Sequence, residues 1–295
     1  MNSVPSAAQE LRVGVLGLGR MGSAMAARLA RSGHAVSGWT RSGLAPGKAR
    51  DLGLAAGPDI AAVAHESDII LLSLSDDAAV ASVIEELCRG DLTAKVIVDT
   101  STVGPDTLRR QADAIRQAGG GALDAPISGG PDLVAEGKAG LYIGGDAVDV
   151  ARFMPVAQTL SNRIHHVGKL GMGAAAKIVN NMMLMGYWET LREALLVGKS
   201  AGLGLEKMLE ILKDSPAASG AFLHRLPVLL GQSSAVGFSV AGVLKDGAMF
   251  DRTAAQYGIA TPAIAAAVAS YRAHAARGHG EEDLATMPRA AYQGA

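Results

Sequence analysis

The chain has 295 residues, 49% of them hydrophobic and 19% charged, and its 27 basic residues almost balance its 28 acidic ones. That length suits roughly two domains with sizeable cores, and the even charge lacks the basic face or run of a nucleic-acid or membrane-surface protein. Aromatic residues are scarce at 4%, so stacking on bases is not a theme, and the lone Cys88 excludes an internal disulfide or a cysteine-built metal site. Met1 to Glu10 shows no basic segment followed by an apolar run, so no leader peptide is expected. Glu66, Asp76 and Lys177 interrupt the apolar stretches before they reach the ~20 residues of a membrane span. The expectation is a soluble, cytoplasmic protein with no nucleic-acid or membrane partner.

The first predicted strand, Leu11 to Leu16, runs straight into Gly17-Leu18-Gly19-Arg20-Met21-Gly22 and then a helix from Ser23. A G-x-G-x-x-G between a strand and a helix is the setting that gives this motif meaning. The first glycine permits a tight turn, the second lets a pyrophosphate approach the backbone, and the third lets helix pack on strand. Free N–H groups at the helix start then face the phosphates. The second predicted strand, Ala35 to Trp39, ends in Thr40, Arg41 and Ser42, where an NAD-preferring site offers a carboxylate to the ribose. Arg41 can fork onto a 2′-phosphate with Thr40 or Ser42 donating beside it. NADPH/NADP+ is therefore expected ahead of NADH/NAD+.

Asp68 to Leu74 is an uninterrupted apolar run of the kind a central parallel strand shows, with Leu74 and Ser75 at its exit and Ser75-Asp76-Asp77 as helix-capping residues. Lys95 to Asp99 repeats the pattern and exits into Thr100-Ser101-Thr102. Hydroxyls there either border the ligand crevice or cap the helix ahead of Pro105. A strand near Ala122 to Ala125 ends in Pro126-Ile127-Ser128-Gly129-Gly130-Pro131, able to present Ser128 and bare backbone N–H groups to an anion. Short strands follow at Leu141 to Gly145 and Arg163 to Val167. His165 and His166 point to opposite faces of the latter, so a shared metal is not expected and no metal site is assigned.

From Gly173 onward the pattern is helical: 174–201, 205–213, around 222–230, 240–257 and 262–277, with the tail from His279 unassigned. The composition shift near Val167 divides the chain into 1–167 and 168–295. In Gly171 to Asn181, Lys177 shares a helix face with Asn180 and Asn181, inside an apolar pattern. A buried ammonium must be paired or lose its charge; the alternative is a lysine snorkelling from the helix edge.

Five blocks in order, Gly17 to Ala26, Asp99-Thr100-Ser101-Thr102, Asp124 to Gly130, Gly171 to Asn181 and Leu244-Lys245-Asp246, resemble the β-hydroxyacid dehydrogenase family. That family contains 3-hydroxyisobutyrate dehydrogenases, tartronate semialdehyde reductases and glyoxylate/succinic semialdehyde reductases. The resemblance covers about Leu11 to Arg277. It implies an α/β fold, an N-terminal Rossmann doubly wound sheet followed by an all-α C-terminal domain, with substrate held between the halves. It also implies a homodimer or homotetramer through the helical domain. Carried over, Lys177 is the general acid/base, Asn181 orients the small-molecule substrate and Asn180 supports it. Ser128, Gly129 and Gly130 hold the substrate carboxylate, Ser101 or Thr102 lies near the nicotinamide, and Lys245 closes the site. Arg41 resembles the NADPH-using semialdehyde reductase branch. Pro131-Asp132-Leu133 and Lys138 depart from the small or apolar residues usual after the glycines, which leaves the substrate open. Imine reductases and reductive aminases share the architecture but commonly lack the lysine, so they are the alternative; a non-catalytic cofactor-binding protein is the remote one.

Overall fold

The computed structural model describes residues 11–294; Met1 to Glu10, on which the leader-peptide expectation rests, lie outside them. Among the described residues no helix is long and apolar enough to cross a membrane. Nine strands form one sheet: β1 Val13–Leu16, β2 Val36–Trp39, β3 Ala55–Ala56, β4 Ile69–Leu72, β5 Val96–Asp99, β6 Gly121–Asp124, β7 Ile127–Ser128, β8 Gly140–Gly145 and β9 Arg163–Gly168. Their order is β3-β2-β1-β4-β5-β6-β8-β7, with β9 on β8. Pairing is parallel from β3 through β6, and β8 runs antiparallel to β6 and β7. The strand order reverses at β1, whose Val13 pairs with Val36 on one side and Ile69 on the other. Such a reversal opens a crevice at the carboxyl ends of the strands.

The apolar runs explain the layering. Every residue of β1, β4 and β5 is buried, because helices cover both faces. Val13, Val15, Ile69, Leu71, Val96 and Val98 face one core, with Met25, Leu29 and Phe153 from the helices over it. Leu16, Ile70, Leu72 and Ile97 alternate onto the other, against Val80, Ile84, Leu108 and Ile115. The chain is a Rossmann-type doubly wound unit followed by a helical one, the fold class expected.

Contacts divide the chain into two compact units, the first ending at Lys177 and the second beginning at Ile178. The division falls within the helix Met172–Ser200 rather than at the change of composition near Val167, because the start of that helix is bonded to the sheet. Asp124, the last residue of β6, accepts hydrogen bonds from the N–H groups of Gly171 and Ala174, both at 2.6 Å. Burial holds its carboxyl above the ordinary carboxylate range, although the two amides favour the charged form. In the second unit the helices Leu205–Lys213, Gly220–Leu229, Val240–Gln256 and Pro262–His274 pack around Trp188, Phe222, Phe250 and Tyr271.

The structure adds elements that the periodicity did not reveal. β3 and β7 have two residues each, too short for alternation to register, and Pro131–Ala135 is a helix of five. The predicted helix ending at Arg277 is regular to His274 and then runs into a kink over Ala275–His279, and the unassigned tail forms a helix at Thr286–Gln293. Replacing Asp124 by Ala leaves two helix-start amides without their acceptor. The expected cost is about 1–3 kcal/mol in chemical denaturation; an unchanged midpoint would remove Asp124 from this role.

Candidate active site

The glycine loop follows β1. Gly17 has φ +100°, and a Cβ on it would run into the Ser73 carbonyl; a Cβ on Gly22 would run into the carbonyl of Gly17. Those two glycines are demanded by the protein's own packing. Gly19 is different: a Cβ there would meet nothing within 4 Å. The helix Arg20–Arg31 begins directly after it with no side-chain cap and no acidic residue in its first turn. Open space over bare helix-start amides is what a dinucleotide pyrophosphate requires, so the residues present fit the cofactor. Leu18 is buried beneath the loop and contributes through its backbone; its carbonyl accepts from Ser23 Oγ at 2.9 Å and Lys48 Nζ at 3.4 Å. Arg20 is exposed and Met21 half-buried.

After β2 a turn closes with the Gly43 N–H donating to the Thr40 carbonyl at 2.9 Å, leaving Arg41 and Ser42 exposed. Lys48, on the helix Pro46–Leu52, adds a second cation beside the glycine loop. The sequence reading missed it. A helix predicted from the Pro46 start would have pointed to it.

The exits of β4 and β5 are tied together. The Leu74 N–H donates to Ser101 Oγ at 2.9 Å, and Thr100 Oγ1 donates to the Leu72 carbonyl at 2.6 Å. Ser101 is thus a strut between two strand ends rather than a helix cap, and Thr102 is half-buried next to it. Ser75 is exposed and donates to Asp76 Oδ2 at 2.7 Å, while Asp76 caps the helix Asp77–Leu87. Beneath this strut Asp99 Oδ1 accepts from the Ser101 N–H at 2.9 Å, and Asp99 Oδ2 is buried without a hydrogen-bond partner among the described residues. Burial pushes the Asp99 carboxyl up to about 7, with its register neighbour Asp124 adding like charge.

β7 ends at Ser128, which is half-buried; Gly129 follows with φ +133°, and Gly130 starts the helix Pro131–Ala135 without a side-chain cap. Lys177 is only 8% exposed, and its Nζ donates to the Ile127 carbonyl at 2.5 Å. The lysine therefore turns inward onto the strand that presents Ser128, and does not snorkel. In the helical unit, Asn180 Nδ2 donates to Asn181 Oδ1 at 2.9 Å and Asn181 Nδ2 to Asp246 Oδ2 at 3.0 Å, with Lys245 Nζ 3.7 Å from Asp246 Oδ1. Asp246 is the hub of this chain. The tripeptide containing it was noted in the sequence, but no role was assigned to it. The site residues do not form one knot: Thr40, Arg41 and Ser42 follow β2, towards the opposite edge of the sheet from Ser128 on β7.

Residues 12–168 match the NAD binding domain of 6-phosphogluconate dehydrogenase, and residues 171–291 match the family described as NAD-binding of NADP-dependent 3-hydroxyisobutyrate dehydrogenase. The 2-(hydroxymethyl)glutarate dehydrogenase of Eubacterium barkeri is 30% identical over 287 residues, 95% of this chain and 94% of that one. The chain belongs to the β-hydroxyacid dehydrogenase family. The 2-hydroxy-3-oxopropionate reductase of Escherichia coli (strain K12) is 33% identical over 212 residues, 71% of this chain and 72% of that one. The solved 3-hydroxyisobutyrate dehydrogenase of Mycobacterium tuberculosis, with L-serine, superposes with a TM-score of 0.86 at 26% identity, covering 95% of this chain and 98% of that one. Like its family, this β-hydroxyacid dehydrogenase is an oxidoreductase that depends on a pyridine nucleotide.

The Asp99 carboxyl gives a pH signature. Its folded value of about 7 exceeds the unfolded value of about 3.9, so the folded state binds the proton more tightly, and stability falls as pH rises through this window. Asp99→Asn, which mimics the protonated acid, is expected to flatten that fall. Urea midpoints at pH 5 and pH 8 should separate wild type and variant more at pH 8; a constant gap would mean that Asp99 is ionised throughout.

Proposed function

We propose that the protein interconverts a small aldehyde or 2-keto acid bearing a carboxylate and its hydroxy acid, using NADPH/NADP+, with Lys177 as the general acid/base. The observation that carries this reading is the buried Lys177 ammonium seated on the Ile127 carbonyl, one residue before Ser128-Gly129-Gly130. A cation held there lies beside a segment whose hydroxyl and glycine N–H groups can receive a carboxylate. When bound, the reduced nicotinamide supplies hydride to the carbonyl carbon. The charge then left on oxygen is neutralised by the proton that Lys177 donates, and in the oxidative direction the neutral amine removes the hydroxyl proton. The Ile127 carbonyl keeps Nζ on one line of approach, so little reorganisation is needed when the proton moves.

Asn181, one turn beyond Lys177 on the same helix, orients the substrate, with Asn180 bonded to it directly and Lys245 linked to it through Asp246. Gly17 to Gly22 cradle the pyrophosphate, while Leu74, Ser75, Ser101 and Thr102 border the nicotinamide end. The preference for NADPH is supported by Arg41 and by the lack of a carboxylate at 40–42. A 2′-phosphate is favoured where a cation replaces the usual acid. The carboxylate-bearing substrate is supported by the names of the relatives, each of which is a dehydrogenase or reductase of a small acid.

NADPH consumption with glyoxylate, succinic semialdehyde, methylmalonate semialdehyde, tartronate semialdehyde and a cyclic imine tests the reading directly. Turnover of at least one carboxylate-bearing carbonyl is expected, lost by a factor of about 100 or more in Lys177→Ala with cofactor affinity retained. Turnover of the imine alone would hand the function to the reductive-amination branch. Arg41→Glu should lower the NADPH-to-NADH preference about tenfold or more; an unmoved ratio would refute the 2′-phosphate role.

A further inference from the structure

The helical unit holds a second cluster of ligand-bearing side chains, apart from the residues above. The helix Pro262–His274 runs on through Ala275–His279 to a kink, where Gly278 takes φ 96°. In an unbroken α-helix, residues five apart point about 140° away from each other. Here the left-handed Gly278 breaks the helix and turns the chain back. His279 is brought back over His274, the ring centroids 4.5 Å apart and the planes 15° from parallel.

The chain then folds so that Glu282 Oε1 meets His279 Nδ1 at 2.8 Å. His274 Nε2 lies 3.1 Å from the hydroxyl of Thr286, and that hydroxyl donates to the Asp283 carbonyl. One ligand atom from each of His274, His279 and Glu282 lies within 4.8 Å of the others. Two imidazole nitrogens and one carboxylate oxygen form a common zinc donor set, with a fourth position left for water. Ligands about 2.1 Å from a tetrahedral zinc sit about 3.4 Å from each other, so a contraction of up to about 1.4 Å, with the His279 ring turned out of the stack so that its nitrogen points at the ion, completes the shell. His274 is buried and fixed, whereas His279 is half-buried and Glu282 exposed, so the two outer ligands are free to make that movement. An exposed His–Glu pair alone contributes little to stability. A cation shared by all three would pin the end of one helix to the segment leading into Thr286–Gln293.

We propose that His274, His279 and Glu282 bind one divalent cation of the zinc class in the helical unit. The test uses tag-free full-length protein, stripped with EDTA and dialysed, then titrated with zinc chloride by calorimetry and melted with and without the metal. One equivalent per chain and a raised melting temperature are expected, with magnesium chloride giving neither. His279→Gln and Glu282→Gln, both at solvent-accessible positions, should each weaken zinc binding at least about tenfold while the far-UV circular dichroism is unchanged. Absence of saturable binding in the wild type, or full-strength binding in both variants, overturns the proposal and leaves a hydrogen-bonded cluster only. The readouts are independent of NADPH turnover, so the outcome stands whatever the substrate.

Discussion

The two hydrogen bonds that Asp124 accepts from Gly171 and Ala174 are the constraint on which the rest depends. They fasten the first turn of the helix Met172–Ser200 to the end of a central strand. A carboxylate at a helix start both satisfies amides that have no partner within the helix and complements the partial positive charge there. With that turn fixed, Lys177 lies on the next turn and can reach the Ile127 carbonyl only three residues beyond Asp124. A single strand exit therefore holds the helix, the lysine and the Ser128-Gly129-Gly130 loop in one frame. Gly173 is part of the same fit, because a side chain there would collide with the Tyr142 and Asp124 carbonyls.

A second consequence concerns charge. Asp99 and Asp124 sit side by side in register at the ends of adjacent strands, both buried. Asp124 is compensated by two amide donors, whereas Asp99 is met only by Ser101 and keeps a buried oxygen without a partner among the described residues. Two such carboxyls cannot both ionise cheaply, and the less compensated one retains its proton to higher pH. Asp99 still performs its mechanical task when neutral, because the oxygen that orders Ser101 remains an acceptor. Ser101 in turn joins the exits of β4 and β5, on the side of the sheet where the nicotinamide is proposed to lie.

The helical unit obeys a different logic. Asn180, Asn181, Asp246 and Lys245 form a polar chain that runs from the exposed Lys245 to the buried Asp246 and Asn181, and Asp246, only 2% exposed, accepts from Asn181 on a separate helix. A buried polar group of this kind is tolerated because every member has a partner, and it rigidifies what it joins. Breaking one link would leave a buried amide or carboxylate uncompensated.

Much of the fold and of the site was legible because the physics involved is local. The glycine loop is read from three spacings, the central strands from unbroken apolar runs, and the buried lysine from its place in an apolar helical pattern. Each depends on residues within a turn or two of one another. What only the tertiary structure decided joins distant segments. Lys177 finds its acceptor 50 positions away, Asn181 finds Asp246 65 positions on, and Lys48 reaches the Leu18 carbonyl 30 positions back. No periodicity encodes such pairings; they arise once strand order and helix packing bring distant segments together. The histidine cluster illustrates the same limit: His274 and His279 at a spacing of five point apart on a regular helix, and only the kink at Gly278 brings them together. Sequence alone thus determined which residues are able to act, and the folded chain determined which of them meet.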